Sequence, residues 1–522
     1  MTLQPTYDIA IIGGGASGTL VALHLLRAAT TPRRIALIEP ATVAQGVAYS
    51  TSCAEHVLNV PAMRMSAFED AADDFVAFLA IEDSASGDRS TLAASFAPRR
   101  RYGAYLRARL AQARAESPAT LEVIANRVVG CVDAGEQFAL TLDSGDAMHA
   151  HAVVLALGNT PRPLPVSGQA LLPAGSVIAA WDYSGIKAIP PAADVTVVGA
   201  GHSMVDVALS LSAQGHRGAI HVLSRNALLP LPHDAQRASH DFDPHTLDAL
   251  PLRARVRVLR RQAASMAHDG VAWQALMDRL RPQVRTLWRS LSPADQRRFM
   301  RHMVRLWDVH RHRIATDVDA LLQAMRARGQ MRLHRGRLAA VRRDGDRLRV
   351  EAVARDGTLV QWQSDVIVNA VGLEMRVARM GRALLDDLVA HGLARPGPHG
   401  IGLDTDEHGA LLDTDARAHP HLFAIGSLRI GTVWESIAVP DLRQDAAALA
   451  ARLLARAQVF DDAQQAWFTP AAVNPPSAHR QEIRGPMAER DEPTTAPCDL
   501  GLAAAIGAAP YTRRILEGER RG

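Results

Sequence analysis

Short apolar runs that end in a glycine or a polar residue dominate the hydrophobic pattern of this chain. Each run is only a few residues long, and helical patterns separate several of them, which is typical of buried parallel strands in an α/β protein. The runs are Ile9–Ile12, Ile35–Ile38, Val153–Leu157, Val195–Val198, Ala219–Leu223, Val366–Val371 and Leu422–Ile425. This pattern predicts an α/β fold built on parallel sheets.

The first run leads into a glycine-rich turn. Gly13, Gly15 and Gly18 follow it at the spacing of a dinucleotide fingerprint, and an apolar helix begins near Ala16. In this motif the first glycine permits a tight turn, the second lets the backbone approach a pyrophosphate, and the third lets the helix pack on the strand. Glu39 ends the next strand, at about the twenty-residue spacing of a carboxylate that accepts hydrogen bonds from a ribose. Because all these features agree, the sequence predicts an FAD site here.

A second glycine turn follows a later apolar run. Gly199 and Gly201 can cradle a pyrophosphate, and Ser203 adds a donor at the helix start, although Met204 replaces the usual third small residue. The next strand ends at Arg225 and not at an acid; an arginine can pair with a 2′-phosphate, which a carboxylate would repel. The sequence therefore favours NADPH as the second cofactor over NADH. The simpler interpretation of Arg225 is a surface arginine at a strand end.

The two fingerprints predict two Rossmann-like domains, one inserted in the other. We expect an FAD-binding domain over residues 1–165 and 366–460, interrupted by an NAD(P)-binding domain over 190–365 with a helical insertion at about 230–330. A chain of 522 residues suits more than one domain. Residues 470–522 are rich in proline, alanine and charge, which predicts a loosely ordered C-terminal tail.

The charge and the cysteine content limit which classes of partner and which cellular compartment are expected. The net charge of +4 is small for this length, so we expect anionic cofactors and a small-molecule substrate, and no nucleic acid. The three cysteines form no CxxC pair, which argues against a dithiol relay and fits a reducing cytoplasm. The chain enters its first strand at once, and no apolar run approaches the roughly 20 residues of a membrane span, so we expect no signal peptide and no membrane partner.

A basic helical stretch carries three histidines. Two of the three histidines His302, His310 and His312 share no carboxylate neighbour at ligand spacing, so no metal site is expected and a surface helix is the favoured interpretation. An anion-binding role for Arg311 and Arg313 is the alternative. Arg99–Arg101 are likewise expected to form a solvated face.

Several short motifs resemble the bacterial FAD-NAD(P)-binding family. They are Gly46–Ser50, His56–Ala62, Met65–Ala67, Pro98–Leu106, Ser224–Arg225, Arg301–Arg313 and Trp434–Pro440. The resemblance spans about residues 7–455 and implies a two-domain flavoprotein related to flavin-dependent monooxygenases, including N-hydroxylating ones. Two features depart from those relatives: Ala179–Tyr183 replaces their histidine-containing linker, and Ser427 stands after Gly426 where aspartate is usual.

We therefore expect an FAD-dependent, NAD(P)H-using oxidoreductase, a monooxygenase acting on a small polar metabolite through a reduced flavin and oxygen. The alternative is a flavin-binding scaffold or redox-sensing protein without turnover, favoured by Met204 and the unusual linker. The loop Asn59–Ser66 is the candidate for covering the flavin ring, with a helix near Pro440 directing its positive end at that ring. No catalytic residue and no oligomeric state is assigned. The expected cofactor-binding residues are Gly13, Gly15, Ala16, Ser17, Gly18, Glu39, Asn59, Met65, Val128, Gly158, Gly199, Gly201, Ser203, Arg225 and Gly426.

Overall fold

The computed structural model describes residues 5–82, 88–166, 172–234 and 240–468, with side chains described up to residue 458. The predicted tail over 470–522, with Cys498, lies outside the described residues. The strands are β1 (Thr6–Ile12), β2 (Arg34–Ile38), β3 (Thr120–Ile124), β4 (Val128–Asp133), β5 (Phe138–Leu142), β6 (Ala147–Leu155), β7 (Val177–Ala179), β8 (Val195–Val198), β9 (Ile220–Ser224), β10 (Met331–Asp344), β11 (Arg347–Ala354), β12 (Leu359–Ser364), β13 (Val366–Asn369), β14 (Ala410–Leu412) and β15 (Ala418–Ala424).

Helices connect these strands. They are α1 (Ala16–Ala28), α2 (Gly46–Tyr49), α3 (Asp74–Glu82), α4 (Arg89–Ala94), α5 (Arg99–Glu116), α6 (Tyr183–Lys187), α7 (His202–Ala213), α8 (Leu252–His268), α9 (Gln274–Leu280), α10 (Val284–Arg289), α11 (Pro293–Arg298), α12 (Val304–Arg311), α13 (Thr316–Ala327), α14 (Ala383–Ala390), α15 (Ile430–Val433) and α16 (Val439–Phe468). A π-helical turn, Phe299–Met303, joins α11 to α12. None of the described helices is long and apolar enough to span a bilayer.

The first sheet has the order β14–β15–β6–β1–β2–β3, with β5 paired to β6 and β4 paired to β5. Its central strand β1 pairs in parallel with β2 and β6 and is apolar and buried from Ile9 to Ile12, so both of its faces are covered there. One face packs against α1, α5 and α16, where Phe75, Tyr102 and Tyr105 are fully buried. We call this sheet and its covering helices the first lobe.

The second sheet has the order β12–β11–β10–β9–β8–β13–β7. Here β8 is the central parallel strand, between β9 and β13. Helices α8 to α13 fill the connection from β9 to β10. We call this sheet and these helices the second lobe. The predictions of two Rossmann-like sheets and of a helical insertion near 230–330 are confirmed.

The boundaries of the second lobe differ from those expected. β13 was assigned to the FAD-binding domain, which was expected to resume at residue 366, but it pairs with β8 and β7 in the second sheet. The strand β7 joins the same sheet before residue 190. Both sheets contain apolar strands that are followed by a glycine, so the apolar pattern alone does not show which sheet such a strand joins. The division into domains otherwise stays a prediction.

Candidate functional site

The first glycine turn lies between β1 and α1. Gly13 has a φ of +106°, and a Cβ there would lie 2.3 Å from the carbonyl oxygen of Ala156. A Cβ on Gly18 would lie 1.9 Å from the carbonyl oxygen of Gly13, so the helix and the turn approach as the third glycine requires. At Gly15, by contrast, the nearest atom to a Cβ is the Cα of Gly46 at 3.8 Å. The turn is thus tight at its ends and open at Gly15, where a pyrophosphate is expected.

Glu39 reaches back to this turn from the end of β2. Its carboxylate accepts hydrogen bonds from the backbone N–H of Gly14 at 2.7 Å and of Ala41 at 3.0 Å. Each carboxylate oxygen keeps a second lone pair. The carboxylate is therefore fixed beside the glycine turn and can still accept a hydrogen bond from a ribose hydroxyl.

The ends of the two neighbouring strands close around the same turn. Gly426 follows β15 with a φ of +76°, and a Cβ there would lie 2.7 Å from the hydroxyl of Ser17 in the first turn of α1. The hydroxyl of Ser427 donates to the carbonyl of Gly158, which follows β6. A Cβ on Gly158 would meet no atom within 4 Å. The predicted residues Gly13, Gly15, Ala16, Ser17, Gly18, Glu39, Gly158 and Gly426 thus come together at the carboxyl ends of adjacent parallel strands, and they fit an FAD pyrophosphate and ribose.

For three other predicted residues, a role in binding the cofactor stays a prediction. Val128 and Met65 are buried in the two hydrophobic cores of the first lobe, 4% and 2% exposed. The carbonyl of Asn59 lies 3.0 Å from Nε2 of His233, which belongs to the second lobe. The loop Asn59–Ser66 is therefore held between the lobes, and its role in covering the flavin stays a prediction.

The second glycine turn has the same construction. Gly199 has a φ of +118°, and a Cβ there would lie 2.0 Å from the carbonyl oxygen of Ala370. Gly201 caps α7 and has open space around it, and Ser203 lies in the first turn of that helix. Met204 is fully buried in the core of the second lobe. The unusual residue at the third position therefore packs in the core, and the residues present fit a dinucleotide pyrophosphate.

Arg305 stands beside this turn and was missed from the sequence. It comes from α12, and its Nη2 donates to the carbonyls of Ala200 and Leu228, both at 2.6 Å. Its Nη1 would lie 3.8 Å from a Cβ on Gly201. Burial lowers the pKa of Arg305, opposed by Asp308. In the fold, this guanidinium lies where a bound pyrophosphate needs a positive charge. In the sequence, Arg305 stands about a hundred residues after the glycine motif, and no local pattern indicates its role.

Arg225 is exposed immediately after β9, as predicted. If it pairs with a 2′-phosphate, Arg225→Ala removes a charge-assisted contact that exists only for NADPH, worth about 1.5–3 kcal/mol. We expect the KM for NADPH to rise roughly 10- to 100-fold while the KM for NADH stays within about two-fold. Steady-state NAD(P)H oxidation measures both. The matched control is Arg217→Ala, at an exposed arginine near the opposite end of the same strand. An equal rise in KM for NADPH and NADH in Arg225→Ala would contradict recognition of the 2′-phosphate by Arg225.

A buried ion pair joins the two lobes. Arg99, at the start of α5, donates to both carboxylate oxygens of Asp206 on α7, at 2.7 and 2.9 Å. Nε2 of His56 lies 2.8 Å from the carbonyl of Asp206, and Nδ1 of the same ring lies 2.7 Å from the hydroxyl of Thr51. The expectation that Arg99 lies on a solvated face is therefore wrong, because it is paired across the lobes.

A second charged group joins the helical insertion to the segment before α16. Glu435 accepts from the indole N–H of Trp307 at 3.0 Å, and its carboxylate lies 2.6 Å from the guanidinium of Arg311. Burial raises the pKa of Glu435, an effect opposed by Arg311. Burial, together with Arg64 and Arg311, lowers the pKa of Arg281 to about 10. Arg64, which is exposed, therefore lies near the partly buried Arg281 and Arg311 here. The sequence did not show this because the three arginines come from separate segments.

The basic stretch with histidines is not a surface helix along its whole length. Burial lowers the pKa of His312 well below its usual value, and nearby arginines, first among them Arg311, lower it further. Burial raises the pKa of Asp308 to about 6. Among the described residues no cluster of His, Cys, Asp and Glu could hold a metal ion. The end of the stretch faces the interior with the imidazole of His312 and the paired guanidinium groups of Arg311 and Arg313, whereas Arg301 and His302 at its start are exposed. The surface interpretation is therefore wrong for the end of the stretch.

Comparison with known proteins agrees with this geometry. A family model described as FAD-NAD(P)-binding matches residues 10–160. A second, described as L-lysine 6-monooxygenase/L-ornithine 5-monooxygenase, matches residues 92–316. No curated protein matches the sequence significantly.

Solved structures show the same fold at low identity. The ornithine N-hydroxylase of Kutzneria sp. 744 is 14% identical with a TM-score of 0.60, covering 87% of this chain and 100% of its own. The ornithine hydroxylase of Pseudomonas aeruginosa is 15% identical with a TM-score of 0.59 and the same coverage. L-Lysine 6-monooxygenase from Pseudomonas syringae is 15% identical with a TM-score of 0.59, covering 86% of this chain and 99% of its own.

The matches to the two family models test the function and the family resemblance that the motifs predicted. The family models confirm the prediction of an FAD-dependent, NAD(P)H-using oxidoreductase of the monooxygenase type. The resemblance seen in the motifs is confirmed as well: parts of this chain match the FAD-NAD(P)-binding model and the L-lysine 6-monooxygenase/L-ornithine 5-monooxygenase model.

Proposed function

We propose that this protein is an NADPH-dependent FAD monooxygenase that inserts one oxygen atom of O2 into a small molecule at a nucleophilic nitrogen. In the overall reaction NADPH, a proton, O2 and the amine become NADP+, water and the hydroxylamine. The observation that carries the proposal is the pair of dinucleotide turns, each with a tight first glycine, an open second position and a helix start, within one compact unit of the chain. The match to the lysine and ornithine monooxygenase model supports the class of reaction.

The residues of this chain divide the work between binding and positioning. Gly15, Ser17 and the N-terminus of α1 would hold the FAD pyrophosphate, and Glu39 its ribose. Gly201, Ser203 and Arg305 would hold the pyrophosphate of NADPH. Bound FAD supplies the transfer of two electrons from the nicotinamide to oxygen.

The contacts between the lobes serve the same chemistry. The Arg99–Asp206 pair fixes one lobe against the other, and this would set how a nicotinamide held by the second lobe approaches a flavin held by the first. The Arg311–Glu435 pair and the indole of Trp307 join the helical insertion to the segment before α16. Such contacts would help to keep water away from the bound cofactors, which oxygen transfer by FAD requires.

The test is anaerobic addition of NADPH to the FAD-loaded protein. We expect the yellow absorption band of the oxidised flavin to bleach, and admission of air in the presence of an amine substrate to restore it with formation of a hydroxylated product. A protein that binds FAD but does not bleach would instead be the flavin-binding scaffold or redox sensor. The burial of Met204 in the core removes one of the two reasons for that alternative.

We also propose that the enzyme works in a reducing cytoplasm. Cys53 and Cys131 are both free thiols. Burial raises the pKa of both, so neither is activated as a thiolate. Small-molecule substrates, and no nucleic acid, are the partners expected from the modest net charge.

A further inference from the structure

The helical insertion encloses a large apolar cavity. Its volume is about 700 Å³, within the range of roughly 300–1,000 Å³ for small-molecule sites. Helices α8, α9, α10 and α12 form its walls with the π-helical turn Phe299–Met303. Such turns are frequently found at functional sites. Four of the chain's seven tryptophans line it: Trp273, Trp288, Trp307 and Trp434.

The cavity wall offers few free hydrogen-bonding groups. Arg255 lines it, but its guanidinium donates to the carbonyls of Leu250, Leu287 and Asp248 and to the hydroxyl of Ser290. Nδ1 of His310 is within hydrogen-bonding distance of the carbonyl of Leu306, 2.8 Å away. Arg260 also lines the cavity, but it is exposed to solvent. A zwitterionic amino acid placed deeper, among the tryptophans, would lose its hydration without gaining a partner there for its carboxylate. The chemistry of the wall therefore suits a hydrocarbon or aromatic body.

One end of the cavity reaches the segment that precedes α16. Trp434 lines the cavity, stacks on Trp288 with ring centroids 4.7 Å apart, and holds a φ of +59°. This backbone conformation is strained for an aromatic residue and persists only where surrounding contacts enforce it. Trp307 lines the cavity too, and its indole N–H donates to Glu435. The polar Glu435 thus lies beside the tryptophan that forms this part of the cavity wall.

We infer that this cavity binds the apolar body of the substrate, and that the substrate is an amine with a hydrophobic chain or ring system and not ornithine or lysine. The inference rests on the proposed function, because that function requires the amine nitrogen of the substrate to reach the flavin. It refines the expected small polar metabolite, because only the reacting end is polar. The apolar body lies among the tryptophans, and its nitrogen lies toward Glu435 and the first lobe. Leu306 lines the cavity and is 37% exposed, so the cavity opens to solvent there and longer chains have an outlet.

The test is a titration of the full-length, FAD-loaded protein with primary n-alkylamines from butylamine to decylamine, and with L-ornithine, followed by tryptophan fluorescence. We expect the dissociation constant to fall about three- to four-fold for each added methylene, and no saturable change with ornithine. Dissociation constants that do not depend on chain length, or tighter binding of ornithine than of octylamine, would overturn the inference.

A matched pair of substitutions locates the site. Ala263→Phe fills the cavity from α8 and should weaken octylamine binding at least ten-fold, whereas Ala320→Phe, on an exposed face of α13, should leave it within two-fold. Ala267→Phe, at an exposed position on the cavity wall, is the second variant if Ala263→Phe does not fold. Unchanged binding in a folded cavity variant contradicts the assignment.

The result stays separate from the test of the proposed function. Bleaching of the flavin by NADPH is measured on the same preparations. If binding depends on chain length but the flavin does not bleach, the cavity is a binding site and the proposed enzymatic function is contradicted. If the flavin bleaches but binding does not depend on chain length, the proposed function is supported and the assignment of an apolar substrate is contradicted.

Discussion

Gly15→Asp is expected to abolish FAD retention while leaving the fold intact. Gly15 is the N-cap of α1, with φ −68° and ψ −167°, a conformation open to any residue, and a Cβ there has space. Aspartate is a preferred N-cap, because its carboxylate accepts hydrogen bonds from the free N–H groups of the first helical turn. Those are the same groups that would hold the pyrophosphate, and the added negative charge also repels it. The purified variant should be colourless, with circular dichroism and unfolding midpoint close to those of the wild-type apoprotein.

The equivalent glycine of the second turn provides the matched control. Gly201 caps α7 in the same conformation, with φ −92° and ψ −163°. Gly201→Asp should keep its FAD and lose bleaching by NADPH, since it blocks the other pyrophosphate and offers Arg305 a partner. If Gly15→Asp remained fully loaded with FAD, the assignment of the first turn would fall.

The parts of the site that the sequence predicted are those set by local geometry. Gly13 and Gly199 follow directly from a strand, a tight turn and a helix in succession, and both adopt the left-handed φ that only glycine takes readily. Glu39 was predicted from its spacing, because a short βαβ unit fixes where the second strand ends. Gly158 and Gly426 were predicted from strands ending in glycine, since parallel strands bring their carboxyl ends to one edge.

The residues that were missed depend on contacts between distant segments. Arg305 reaches the second turn from the helical insertion, and Arg99 crosses to α7 from the other lobe. Both stand in arginine-rich stretches whose composition also suits a solvated helix face, so charge alone could not separate them. The apolar cavity was missed for a related reason: its tryptophans are scattered over α9, α10, α12 and the segment before α16, and they meet only in the folded chain.

Asp206→Ala is expected to destabilise the protein by about 3–5 kcal/mol, the usual cost of removing one partner of a buried ion pair. The Arg99 side chain is only 17% exposed and that of Asp206 only 6%, so the guanidinium would be left without its bidentate acceptor where water can hardly replace it. His56 would remain bound, because its contact is to the backbone carbonyl of Asp206. The unfolding midpoint should fall by several degrees, and reduction of the flavin by NADPH should slow because the lobes lose their fixed relation.

Two further variants separate the ion pair from a general loss of charge. Asp70→Ala removes an exposed partner of Arg27, a pair 40% and 70% exposed, and should change stability by less than about 1 kcal/mol. The double variant Arg99→Met with Asp206→Leu replaces both charges by apolar groups and should recover much of the lost stability. Because it restores packing without the bidentate geometry, flavin reduction should recover less than stability does. Equal effects of Asp206→Ala and Asp70→Ala would show that the pair does not hold the lobes together.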